Sequence, residues 1–194
     1  MQRLFQGKTS GFYIDLGAHH PKRFSNTYLL YRLGWCGINI DAMPGAMALF
    51  KKIRKRDICL EIGISDKNET KDFYIFSERA LNTFDKDLAK ERIALGWRLE
   101  RTQKVQLRPI NSVLDEFLPP QTQIDLLTID IEGLDGIVLK SLCFNKYRPK
   151  VIICEQLSTN VEDVSSSEIA HILKRENYVL SSKLFNSAIW KQKT

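Results

Sequence analysis

Short apolar runs rich in β-branched residues alternate along the chain with longer amphipathic stretches, the pattern of a parallel sheet covered by helices on both faces. Strands are predicted at residues 12–16, 37–41 and 57–61, with helices near 25–33 and 45–55 between them. The crossovers are short, as in tightly wound βαβ units. Beyond the third strand the pattern loosens: 71–76 reads as an extra strand and 81–99 as helix, giving a partly helical insertion over 71–108. Order returns with strands at 124–130 and 150–155 around a helix at about 134–142. Ser165, Ser166 and Ser167 offer N-caps for a helix ending near Asn177, and strands at 178–184 and 187–191 suit a closing antiparallel hairpin. The expected fold is α/β: a Rossmann-like, doubly wound, mostly parallel sheet with a C-terminal antiparallel hairpin, in one domain over 1–194.

Composition narrows the picture further. A chain of 194 residues can bury one sizeable core, and 43% hydrophobic with 27% charged residues is ordinary for a globular protein. No apolar run approaches the roughly 20 residues of a membrane helix, and the first residues, Met1 to Lys8, lack a secretory h-region. A soluble, cytoplasmic protein without membrane insertion is expected. Cys36, Cys59, Cys143 and Cys154 form no CxxC pair and read as reduced core residues. The net charge of +6 draws on the run Lys51-Lys52-Ile53-Arg54-Lys55-Arg56, which could attract a polyanion. Its place at the end of a predicted helix, where cations complement the dipole, accounts for it as a solvated face, so nucleic acid is not the expected partner.

The informative residues close the strands, because open α/β sheets bind ligands beyond their carboxyl ends. The first strand runs into Asp15-Leu16-Gly17-Ala18-His19-His20-Pro21, an acid and one glycine with neither G-x-G-x-x-G nor a P-loop lysine. No phosphate is expected there. S-adenosylmethionine, which carries an ammonium and a sulfonium, suits such a turn: Asp15 would supply negative potential, Gly17 and Ala18 close backbone approach, and amides around Ser25 and Asn26 a seat for the methionine carboxylate. Asp41 closes the second strand twenty-six positions later, beside Ala42, where nucleoside-binding folds place an acid for the ribose hydroxyls. Two charge-assisted hydrogen bonds of about 1.5–3 kcal/mol each would make it a principal affinity residue. Its alternative role is an N-cap for the helix entered through Pro44.

After the third strand, Gly63 and Ile64 could pack on adenine while Ser65 or Asp66 meets its polar edge; a plain turn is the other reading. The fourth strand ends in Asp130-Ile131-Glu132-Gly133, two carboxylates where a helix cap needs at most one. They are candidates for catalysis, substrate contact or metal binding. Asp130, Glu132 and His20 are the candidate general bases. A magnesium ion on Asp130 and Glu132 is the alternative, though no metal is expected.

Together, Tyr13 to Ala18, Asn39 to Asp41, Ile124 to Gly133 and Pro149 to Glu155 resemble the FkbM-type methyltransferases over about residues 10–157. The segment Ile124 to Gly133 is the most specific part. The resemblance implies a class I methyltransferase fold, S-adenosylmethionine as cofactor, and O-methylation, often of sugars or polyketide hydroxyls. A small-molecule or glycan hydroxyl substrate is therefore expected, and an oligomer is compatible. The chain departs from the family at His19-His20-Pro21, where an asparagine and another glycine are common, and at Asp41-Ala42-Met43-Pro44, where an acid usually precedes the proline. An RNA methyltransferase and a non-catalytic cofactor-binding subunit are the alternatives to be weighed.

Overall fold

The strand Phe12–Leu16 (β1) is buried along its whole length and lies in the middle of a seven-stranded sheet. A computed structural model describes residues 2–5, 7–131, 133–158 and 160–193. In chain order, β1 is followed by Tyr28–Arg32 (α1), Cys36–Asp41 (β2), Ala46–Ile53 (α2) and Ile58–Glu61 (β3). Next come Gly63–Ser65 (β4), Glu69–Phe76 (β5), Lys86–Ala94 (α3), Leu99–Pro109 (β6) and Ile110–Phe117 (α4). The chain ends with Leu126–Ile129 (β7), Asp135–Ser141 (α5), Val151–Glu155 (β8), Val161–Ser166 (α6), Glu168–Arg175 (α7), Tyr178–Leu184 (β9) and Ser187–Gln192 (β10). The main sheet has the order β3-β2-β1-β7-β8-β10-β9, parallel except for β10, which runs antiparallel to both β8 and β9.

Strand alternation sorts the core into layers on opposite faces of this sheet. Ile14, Ile38, Leu127 and Ile152 point to one face, where Val113 of α4, Val138 of α5 and Leu173 of α7 cover them. Tyr13, Leu126 and Ile153 point to the other, against Leu30 of α1 and Trp35. Both faces are covered, which explains why β1, β7 and most of β8 are buried without alternation. The chain steps outward from β1 to β3 and then returns to place β7 beside β1. This reversal opens a crevice at the carboxyl ends of β1 and β7.

In the insertion the extra strand expected at 71–76 is β5, but the helix expected over 81–99 is shorter. Helix there is confined to α3 and a single 3-10 turn at Arg79–Leu81, while β4, β6 and β5 form a second sheet in that order. In β6, buried Val105 and Leu107 alternate with exposed Lys104 and Gln106. That period of two makes a strand, and its long polar side chains hide the pattern. The second sheet packs Phe73, Ile75 and Val105 on Ala46, Met47 and Phe50 of α2. Helices α4 and α6 are additional to those expected, whereas Ser167 caps α7 as its sequence suggests, accepting from the Ala170 amide at 3.1 Å.

Two further expectations need correction. Arg54, in the basic run, is wholly buried and not part of a solvated face. Of the cysteines, only Cys154 is fully buried; Cys143 is exposed and the other two are intermediate. No helix among the described residues is long and apolar enough to cross a membrane. Ile75 is fully enclosed between the second sheet and α2. Ile75→Ala is expected to lower unfolding stability by about 2–5 kcal/mol while leaving one urea transition, because the second sheet then shares its core with the first. A separate early transition would show that the two sheets unfold independently.

Candidate active site

The crevice between β1 and β7 deepens into a cavity lined by Asp15, Gly17, Ala18, Ser25, Asn26, Asp41, Ala42, Gly63, Ile64 and Asp130, all expected from the sequence. The turn after β1 depends on Gly17. Its φ is +78°, and a Cβ there would stand 1.8 Å from the Asp130 carbonyl oxygen. Only glycine allows this backbone approach, which joins the ends of β1 and β7. The Asp130 amide adds a hydrogen bond of 3.0 Å to the Leu16 carbonyl.

Asp15 lies at the cavity floor, 4% exposed, and accepts a hydrogen bond from Thr27 Oγ1 at 2.6 Å. Burial pushes its pKa up to about 6, against the opposing influence of the Thr27 hydrogen bond and the Arg54 charge. Asp41 accepts from the His19 amide at 2.7 Å and the Met43 amide at 2.7 Å. Burial raises its pKa while these amides pull it back. Gly45, and not Asp41, is the N-cap of α2, so the acid secures the two loops around the cavity instead. Each carboxylate oxygen can still accept a further bond.

Ser25 Oγ accepts from the Thr27 and Tyr28 amides at 3.3 and 3.1 Å, and Asn26 Nδ2 donates to Thr128 Oγ1 at 3.0 Å. Both side chains thus fix the entry to α1. Gly63 and Ile64 face Phe73 and Phe84, whose rings are 4.5 Å apart. A Cβ at Gly63 would approach Leu107 to 2.8 Å.

Two of the expected site residues are placed outside this cavity. Ser65 does not line the cavity; its hydroxyl donates toward Asp66 and Glu69 at 3.0 and 3.1 Å, inside the second sheet. His20 lies in a neighbouring groove with Pro21 and Lys52, and its Nδ1 accepts from the Lys22 and Arg23 amides at 3.1 and 2.9 Å. Partial burial and surrounding cations lower its pKa. It is therefore not brought together with Asp130 in the cavity. Glu132 lies outside the described residues. No group of three or more His, Cys, Asp or Glu among the described residues could hold a metal ion.

The structure adds residues that the sequence does not single out. His19 and Phe24 both adopt left-handed backbone, at φ of 53° and 55°, and both line the cavity. Phe24 is 88% exposed. Left-handed backbone is uncommon for side chains of this size. Arg79, Asn82, Thr83 and Phe84 arrive from the insertion. Asn82 Oδ1 accepts from the Phe76 amide at 2.9 Å, whereas its Nδ2 meets the Met43 sulfur at 3.5 Å.

The sequence matches the family model of the Methyltransferase FkbM domain over residues 15–180. A search of curated proteins finds no match.

The Gly17–Asp130 approach makes a direct prediction. Gly17→Ala is expected to destabilise the fold by about 1–3 kcal/mol through overpacking and left-handed strain, and to speed hydrogen exchange at the Asp130 amide. Unchanged exchange there would mean that the two turns are not locked together.

Proposed function

The chain belongs to the FkbM methyltransferase family, and from that membership we propose that it transfers a methyl group from S-adenosylmethionine to a hydroxyl oxygen of a sugar, glycan or related small molecule. We take it to be a cytoplasmic, single-domain enzyme of the Rossmann-like, class I methyltransferase type. The strand order, with its reversed terminal hairpin, supports that type. The observation that carries the cofactor reading is the cavity lining: carboxylates Asp41, Asp15 and Asp130 stand at the ends of β2, β1 and β7, adjacent strands. Spread along a crevice and accompanied by no phosphate-binding loop, they suit an elongated, cationic nucleoside.

Bound there, S-adenosylmethionine supplies an electrophilic methyl group on sulfur. Asp15, with Oδ2 taken by Thr27, would offer Oδ1 to the ammonium, and the segment at Ser25 and Asn26 would take the methionine carboxylate. Asp41 would accept from the ribose hydroxyls with its remaining lone pairs. Gly63, Ile64 and Phe84 would form the apolar walls for adenine. The polar contact expected of Ser65 would pass to Asn82, whose Nδ2 has a weak thioether acceptor. Phe24 would offer an apolar ring face to the acceptor at the cavity mouth, and Asp130 would take the hydroxyl proton. Positioning two reactants is worth about 7–11 kcal/mol, against roughly 3–5 kcal/mol for the base, so loss of Asp130 should leave residual turnover.

The net charge would also suit an RNA acceptor. Arg54, however, is withdrawn from the basic run into the interior, which weakens that run as a phosphate track. The non-catalytic reading has no observation in its favour.

Calorimetric titration is expected to give micromolar S-adenosylmethionine affinity that collapses in Asp41→Ala. Asp130→Asn should retain binding while lowering kcat by about 10²–10⁴-fold, and turnover should persist with a chelator. Absence of binding to the wild-type protein would overturn the cofactor assignment. Because the raised pKa of Asp15 lies at about 6, affinity should fall as pH drops through that value, where the protonated acid no longer attracts the ammonium.

A further inference from the structure

Arg54 directly follows α2, yet its side chain is fully enclosed. Its Nη2 donates to Thr27 Oγ1 at 2.5 Å, and Thr27 Oγ1 donates to Asp15 Oδ2 at 2.6 Å. The direction of this chain is set by chemistry. A guanidinium has no acceptor, so the hydroxyl must accept from Arg54, which leaves its proton for Asp15. Ser25 Oγ is a weaker second acceptor for Nη2 at 3.4 Å.

The rest of the guanidinium is held by charge and aromatic faces. Nε stands 3.4 Å from Asp57, without hydrogen-bond geometry, and among the described residues Nη1 also meets no hydrogen-bond acceptor. The rings of Tyr31, Tyr28 and Tyr13 surround the group at 4.9, 5.5 and 5.7 Å. Asp57 has other donors: Tyr13 Oη at 2.5 Å, Asn39 Nδ2 at 2.8 Å and the Gly37 amide at 3.1 Å. It does not depend on Arg54 alone. The guanidinium is thus shared between a structural carboxylate and one that lines the cavity.

We propose that Arg54 is a positioning residue of the cofactor site: through the Thr27 hydroxyl it supplies the hydrogen-bonded counter-charge that keeps the Asp15 carboxylate ionised and fixed at the cavity floor. The consequence for the ligand rests on the S-adenosylmethionine reading above; the coupling of Arg54 to Asp15 does not. The groups facing Asp15 divide clearly. Burial and the like charges of Asp41 on β2 and Asp130 after β7 favour its neutral form, whereas Thr27 and Arg54 favour the charged one. Without that second pair, an ammonium would meet a neutral acid.

The test follows the Asp15 carboxyl by carbon-detected NMR across pH in the ligand-free protein, alongside S-adenosylmethionine calorimetry. Wild type is compared with Thr27→Val, Arg54→Met and Arg54→Lys. The wild-type midpoint is expected near 6. It should move upward in Thr27→Val and Arg54→Met, and less in Arg54→Lys, which retains a charge. Near neutral pH the first two should bind about tenfold more weakly, the scale of one hydrogen bond to a charged group, and should recover as pH rises. A purely structural role would give no recovery with pH. Wild-type midpoints and affinities in folded Thr27→Val and Arg54→Met would overturn the proposal. If Arg54→Met does not fold, Thr27→Val decides, since it cuts the relay without removing the charge. If the wild type binds no S-adenosylmethionine, the cofactor reading fails, and the Asp15 titration still decides the role of Arg54.

Discussion

The carbonyl of Asp130 lies so close to the α-carbon of Gly17 that no side chain fits between them. Around that contact the two halves of the sheet meet: β1 begins the outward-stepping half, and β7 begins the returning one. A larger residue at position 17 would separate the strand ends and widen the crevice from which the cavity is built. Where phosphate-binding glycine loops present backbone amides, the strand ends joined here present the side-chain carboxylates of Asp15 and Asp130.

Placing Asp15 and Asp41 in a poorly solvated cavity opposes their ionisation, and the fold offsets this with different donors. Asp41 is held by two amides, which also pin the loops carrying His19 and Met43. Asp15 receives one hydroxyl, behind which stands a buried arginine. The first arrangement couples charge to loop shape. The second couples it to the layer between β1 and α1, so the same guanidinium contributes to core packing and to the electrostatics of the site.

How much of this is legible in the sequence depends on whether local pattern or tertiary packing decides. The central strands are legible because burial on both faces leaves long apolar runs, and Asp15, Asp41 and Asp130 stand out as the polar residues that end them. Residues 99–109 are not, since Glu100, Arg101, Gln103 and Lys104 occupy exposed positions that dilute the period of two. Arg54 is hidden for a related reason: among the four other cations at 51–56, nothing local distinguishes the one that turns inward. Arg79, Asn82 and Phe84 reach the cavity only because the insertion packs on α2. Ser65 fails in the opposite sense, a polar residue in the right segment whose hydroxyl is taken by its own sheet.

The insertion also determines how the cavity is closed. Phe73 touches Phe84 on one side and joins the cluster with Met47 and Phe50 of α2 on the other. The apolar wall of the cavity is therefore continuous with a hydrophobic core and is not a free loop. Burying residues such as Ile75 and Phe73 is worth roughly 1.5–3 kcal/mol each. That gain contributes to offsetting the entropy of ordering the long excursion between β3 and β7, and it holds the wall in place by packing. A preformed apolar wall facing charged strand ends would let the proposed cofactor bind at its base and its cationic tail together, with little reorganisation left for the encounter.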